Sequence, residues 1–267
     1  MKKASSYICL VCALLITLTA AGCSGGGSGK YRVIAEELYT ESFAVGFRAG
    51  DPLRDIVNAA MKQLVADGTA AGLSTRWFGK DVITLDGDSD ALAPYWDGLR
   101  RRTLIVGFDP GSTPMSFKDQ GGGYTGFDIE FASALCSLLG WEIKLQPIAP
   151  ADIVTELISG NIDCAWGGMG LNPGEARVSY SEAYMENSKM LISLSESKLR
   201  SKNQLSGKTL ATTFDPSSDA ALNSDEKLKN SLASIARYGD VKDCFNTLEK
   251  NNCDAILVDS VAFYYLK

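Results

Sequence analysis

Along the chain, short apolar runs of strand length alternate with longer stretches whose apolar residues recur every three to four positions, the pattern of α/β layers. The runs predict strands at 44–47, 103–107, 142–147, 164–166, 190–194, 209–212 and 255–258. Between them the spacing predicts helices over 52–67, 127–139, 151–159, 219–222 and 242–250. In the first helix Leu53, Ile56, Val57, Ala60, Met61 and Leu64 share one face, which marks that face as core. The polar stretch 86–90, Asp-Gly-Asp-Ser-Asp, separates two strongly patterned regions and reads as a surface loop or linker.

The N-terminus follows a different rule. Lys2 and Lys3 precede an apolar run over 7–21 that ends in Ala20-Ala21-Gly22-Cys23, a secretory signal with a lipobox-like end. The run is too short to span ~30 Å of hydrocarbon comfortably. Residues 1–22 are therefore expected to leave as a signal peptide, with Cys23 lipidated and the Gly/Ser-rich stretch 23–29 acting as a flexible tether. About 240 residues then remain, enough for one large domain or two lobes.

Composition narrows the chemistry. Hydrophobic residues make up 45% and the net charge is −6, ordinary for a globular chain and poorly suited to nucleic acid. The one basic cluster, Arg100-Arg101-Arg102, reads as a solvated strand edge or linker. The chain has no histidine, which excludes Ser-His-Asp and Cys-His catalysis and any His-ligated metal within one copy. Of the seven cysteines, Cys9 and Cys12 fall in the signal. Cys136, Cys164, Cys244 and Cys253 sit in apolar contexts, as buried thiols or disulfides, and Cys244 with Cys253 is the pair to test first. No pair has zinc spacing, and no cofactor is expected.

Particular motifs carry a family resemblance. Gly126-Phe127-Asp128-Ile129-Glu130-Phe131, followed by Leu135, Cys136 and Leu139, resembles the signature of the family-3 extracellular solute-binding proteins, the polar amino-acid receptors of ABC transporters. Its neighbours fit: 103–117 resembles the first strand and ligand loop, 157–163 the turn into a further strand, Leu205-Ser206-Gly207-Lys208-Thr209-Leu210-Ala211 the opening of the second lobe, and Asp254-Ala255-Ile256-Leu257-Val258-Asp259 its late strand. The family's C-terminal block is similar to residues near the other end: Phe43-Ala44-Val45-Gly46-Phe47-Arg48-Ala49-Gly50-Asp51, then Asp67-Gly68-Thr69 and Trp77-Phe78-Gly79. The two blocks sum to one domain without duplication, which favours circular permutation over a gene fusion carrying a remnant.

The resemblance implies a two-lobed periplasmic-binding-protein-like (type II) α/β fold with two hinge strands, circularly permuted. One lobe is expected over 44–188, with the permutation linker at 82–101 inside it, and the other over 30–43 plus 189–267. Hinges then fall near 42–45 and 187–190. A zwitterion in the cleft needs a cation or N–H groups for its carboxylate and an anion for its ammonium. Asp259 matches the family's ammonium-binding acid, or else caps the next helix. Asp109 matches an acidic cleft position, or else closes a turn before Pro110. Ser217 and Ser218 begin a helix, where they meet a carboxylate or simply cap.

Other family positions are altered. Glu175 stands where the carboxylate-binding arginine is usual, with Arg177 two residues later, able to serve only from a shifted loop. Ser112 replaces the usual aromatic platform and Pro150 the second aromatic wall, so Trp166 and Phe214 become substitute platforms or core residues. Gly167, Gly168 and Gly170 allow close backbone approach to a ligand, or form a tight turn. The expected function is capture of an amino-acid-like solute for an ABC transporter permease, by a monomer held on the extracellular face through its lipid. The alternatives are an enzyme on the same scaffold, dehydratase-like or transglycosylase-like with Glu175 as its candidate acid, a ligand sensor, or a receptor whose pocket has drifted away from free amino acids.

Overall fold

The computed structural model of the protein describes residues 29–35, 37–168, 170 and 174–267. The expected signal segment, Cys23 and the tether up to residue 28 lie outside the described residues. In chain order the elements are β1 (Tyr31–Ala35), β2 (Thr40–Phe43), β3 (Gly46–Arg48), α1 (Leu53–Ala66), α2 (Thr69–Phe78), β4 (Thr103–Phe108), β5 (Gly111–Ser112), β6 (Ser116–Lys118) and β7 (Tyr124–Thr125). There follow α3 (Phe127–Leu139), β8 (Glu142–Pro147), α4 (Ile153–Ser159), β9 (Cys164–Ala165), β10 (Val178–Tyr180) and β11 (Met185–Leu194). The remainder is β12 (Thr209–Thr213), α5 (Pro216–Ser224), α6 (Glu226–Ser231), β13 (Ser234–Tyr238), α7 (Val241–Glu249), β14 (Ala255–Asp259) and α8 (Ser260–Leu266).

These elements build two α/β lobes. The first rests on a five-stranded sheet in the order β10-β3-β9-β4-β8, the second on a six-stranded sheet, β1-β11-β14-β12-β13 with β2 paired to β11. Leu104 and Val106 of β4 pack into the core shared with α1, α2 and α3, whereas Ile105 packs on the opposite face with Leu157 and Ile162. A parallel sheet covered on both faces needs apolar residues at nearly every position, which is why β4 reads as an unbroken apolar run. Leu85 and Leu92 anchor the segment after α2 in the same core, while 86–90 between them stay exposed.

Two antiparallel strands join the lobes. Residues Met185 to Ser188 of β11 pair with β2, and the stretch from Lys189 onward pairs with β14 in the second sheet. The lobes also touch beside this crossing, where the Tyr265 ring of α8 lies 5.6 Å from Trp77 and 6.3 Å from Phe117. The four described cysteines Cys136, Cys164, Cys244 and Cys253 are free and buried, so Cys244 and Cys253 form no disulfide here. Burial pushes both of those thiols up to about 12.

The family-like signature begins on a backbone constraint. Gly126 has φ of 132°, and a Cβ there would stand 2.3 Å from the Met115 carbonyl oxygen. Only glycine lets α3 start so close to the turn between β5 and β6. Gly126→Ala is expected to cost about 1–3 kcal/mol. An unchanged urea midpoint in that variant would contradict the close approach.

Candidate functional site

The C-terminal ends of β4 and β9 bring Asp109, Ser112, Ser116, Gly167 and Gly168 together. Asp109 follows β4 and accepts the Gly111 N–H at 2.9 Å through Oδ1, while its carbonyl accepts the Ser116 hydroxyl at 2.7 Å. It therefore closes a turn and also presents a carboxylate. Beyond β9 the backbone turns at Gly167 and Gly168. A Cβ on Gly167 would meet Ser116 Oγ at 2.7 Å, and one on Gly168 would meet Ser112 Oγ at 2.6 Å. Gly168 also has φ of 65°, so both space and conformation demand glycine. Gly167→Ala is expected to lower stability by about 1–3 kcal/mol, read as a shift in denaturant midpoint.

A buried acid fixes this turn. Asp128, fully buried on the first turn of α3, accepts the Gly168 N–H at 2.6 Å and the Tyr184 hydroxyl at 2.8 Å. Burial dominates those two hydrogen bonds and pushes its carboxyl up to about 7. Trp166 is core rather than platform: it is buried, with its ring 5.4 Å from Phe131. Gly170 is bridged to Phe43 of the crossover strand.

A second cluster, in the other lobe, is built around Lys189. Its side chain is 1% exposed, yet Nζ lies 3.0 Å from Asp215 Oδ1 and 2.9 Å from Asp259 Oδ1. Burial alone would depress the ammonium, but the Asp259 and Asp215 carboxylates outweigh it and hold its pKa above the usual lysine range. Asp215 caps α5, accepting the Ser218 N–H and the Ser217 and Ser218 hydroxyls, each at 2.7 Å. The capping expected of a serine is thus performed by Asp215. Burial works against its ionisation, but Lys189 and the hydroxyls hold its carboxyl well below the usual range.

Asp259 makes no capping bond to α8. Its carboxylate instead takes Lys189 and the Asn187 amide, the latter at 2.5 Å. The same amide donates to Glu41 Oε1 at 2.9 Å. Glu41 lies on β2, and its carboxyl is raised by burial and by the Asp259 and Asp215 charges, against the Asn187 bond and Lys189. Asp215 and Asp259 keep 28% and 29% of their side chains exposed, in front of a lysine that is sealed behind them.

The structure brings together Asp259, Ser217 and Ser218 on one side, and Asp109, Ser112, Gly167 and Gly168 on the other. Phe214 is 71% exposed beside Asp215 and is the available aromatic surface. The Arg177 guanidinium engages only Glu175 among the described residues, through two contacts of 2.7 Å. It is not joined to the Asp259 cluster. Arg177 in turn holds the half-buried Glu175 carboxyl down to about 2. Lys189, Asp215, Asn187, Glu41 and the role of Asp128 escape sequence reasoning. The one available signal is a lysine set directly before the apolar run Met190-Leu191-Ile192.

Comparison with known proteins follows the same lines. The family described as bacterial extracellular solute-binding proteins, family 3, matches residues 104–246. The arginine-binding extracellular protein ArtP of Bacillus subtilis is 32% identical over 111 residues, covering 41% of this chain and 43% of its own. The L-cystine-binding protein TcyJ of Escherichia coli is 27% identical over 167 residues, covering 61% and 60%. Cyclohexadienyl dehydratase of Pseudomonas aeruginosa is 23% identical over 151 residues, covering 55% and 56%. The chain thus spans roughly half the length of the curated relatives it matches. Among solved structures, an ancestral cationic amino-acid solute-binding protein superposes with a TM-score of 0.55 and 31% identity, covering 62% of this chain and 73% of that one. With the family match spanning more than half of the chain and the fold agreeing, this protein belongs to the bacterial extracellular solute-binding proteins, family 3.

Proposed function

We propose that the chain is a lipid-anchored extracellular receptor that captures an amino acid, or a similar small zwitterion or carboxylate, in the interlobe cleft for uptake by an ABC transporter. One observation carries the reading. Two part-exposed carboxylates, Asp215 and Asp259, are fixed by a sealed lysine, and Glu41, tied to Asp259 through the Asn187 amide, comes close to Gly170 of the other lobe. Such fixed acids suit a ligand ammonium, and Asp109 adds a third carboxylate. Backbone groups at Gly167, Gly168 and Gly170, with the Ser112 hydroxyl, suit the rest of the ligand, and Phe214 its side chain. Arg177 serves a ligand carboxylate only if it leaves Glu175.

Contacts to both walls favour the closed arrangement, and closure is what a permease senses. The lobes divide at the β2–β11 crossing, with hinges near 42–45 and 187–190, lobe 44–188 carrying the linker 82–101, and lobe 30–43 plus 189–267. A thermal-unfolding panel of common amino acids and small carboxylates tests the receptor. A ligand at 100 times Kd is expected to add ~2.7 kcal/mol, and this gain should vanish in Asp259→Ala. No stabilisation by any compound would sink the free-amino-acid reading.

Circular permutation is part of the same proposal. β3 precedes the rest of its sheet in the chain yet sits between β9 and β10, and Tyr31 and Leu266 pack in one apolar cluster. A variant with residue 267 joined to residue 31 by a short linker and opened within 82–101 should unfold at the wild-type temperature with the same ligand preference. Collapse of that variant would count against permutation. Turnover is disfavoured because Glu175, the acid at the altered arginine position, is held ionised by Arg177 and makes a poor proton donor at neutral pH.

A further inference from the structure

We propose that Glu41 is a specificity-determining acid of the cleft, which contacts the ligand through Oε2 and selects for an ammonium or guanidinium group. The assignment deepens the receptor reading above and rests on it. Glu41 lies on the crossover strand β2, two residues before the Phe43–Gly170 bridge that ties this strand to the first lobe. It therefore stands where the two walls converge.

Its two oxygens are used differently. Oε1 accepts the Asn187 amide at 2.9 Å, and the same nitrogen donates to Asp259, so Glu41 and Asp259 are presented as a linked pair. Oε2 accepts no hydrogen bond among the described residues. A Cβ on Gly170 would stand 2.7 Å from Oε2, so this oxygen approaches the Gly170 backbone of the first lobe only because that residue has no side chain.

Charge points the same way. The charged groups facing Glu41 among the described residues are Lys189 on β11, Asp259 at the end of β14 and Asp215 at the start of α5. One ammonium faces three carboxylates, and the guanidinium of Arg177 is occupied by Glu175. A cationic ligand supplies the missing positive charge, whereas a neutral or acidic one leaves Glu41 facing like charges in a partly buried place. Burial first, and then the Asp259 and Asp215 charges, raise the Glu41 carboxyl above its usual range. A cation at Oε2 favours the carboxylate, so capture releases up to one proton and affinity rises with pH through the titration of Glu41.

Titration calorimetry on the detergent-solubilised full chain tests this with L-arginine, putrescine and L-glutamine at about pH 5 and about pH 8. The wild type is expected to bind at least one cationic probe tenfold or more tightly than glutamine, more tightly at the higher pH, with proton release seen by comparing two buffers. Glu41→Gln should lower that affinity by about tenfold at the higher pH and abolish the proton release. Gly170→Ala, which sets a methyl group over Oε2 without altering charge, should lower it in the same direction. Cation binding that is unchanged in both variants, or a wild-type preference for glutamine, overturns the assignment and leaves the receptor intact. Failure of the wild type to bind any of the three probes overturns the assignment, and the receptor reading falls with it only when the thermal panel also shows no stabilising compound.

Discussion

Lys189→Met is expected to lower the unfolding free energy by about 3–5 kcal/mol, because it removes one member of a buried charge cluster and leaves its partners uncompensated. The ammonium is sealed from solvent and touches Asp215 and Asp259. Without it, two carboxylates repel across a partly buried space, and Glu41 adds a third charge. Neutralising them as well, in Lys189→Met/Asp215→Asn/Asp259→Asn, should recover most of the loss, since a neutral cluster has no unpaired charge to bury. Urea denaturation of the single and combined variants reads both effects. A cost below about 1 kcal/mol for Lys189→Met would mean that the lysine is not the counter-ion that organises this cluster.

The second large effect is a pH dependence from Asp128. Its carboxyl is raised from 3.8 to about 7, chiefly by burial. A carboxyl that is harder to ionise folded than unfolded contributes stability that is fully present below the unfolded pKa and lost as pH rises through the folded one. Stability should therefore fall between pH 3.8 and about 7, by up to about 4 kcal/mol from this group. Asp128→Asn removes that slope. A wild-type profile over this range that matches that of Asp128→Asn would show that the acid stays ionised in the fold. The group also acts on the first-lobe cluster, because Asp128 holds the Gly168 N–H.

Much of the fold was legible where one physical signal dominated. β8 and α3 match the predicted 142–147 and 127–139, one a short run bounded by turn signals and the other a helix that opens and closes on glycine. Polar interruption hid β1 and β2, whose Arg32 and Glu41 break any apolar run. β11 was predicted only over 190–194 because Glu186, Asn187, Ser188 and Lys189 precede it, although the strand starts at Met185. Those polar positions are the crossing and the site. Lys189 escaped for the same reason: a lysine reads as an exposed strand end unless its two acids, far away in sequence, are known to converge on it. Asp259, Ser217 and Ser218 stand out by their places at a strand end and a helix start, whereas Asp215 draws no reading from the sequence alone. Asp215 caps because it stands directly before Pro216, the first residue of α5, where its carboxylate reaches the Ser218 N–H.

The most direct test of the receptor is whether its lobes respond to ligand. Lys144 and Lys227 are exposed on different lobes, and the four described native cysteines are buried, so Lys144→Cys/Lys227→Cys in the Gly29–Lys267 fragment accepts one spin label on each lobe. The interlobe distance distribution would be measured without ligand and with the most stabilising compound from the thermal panel. Binding in the cleft predicts that saturating ligand narrows the distribution to a single closed population, and that Asp259→Ala prevents it. A distribution that ligand leaves unchanged would contradict capture between the lobes.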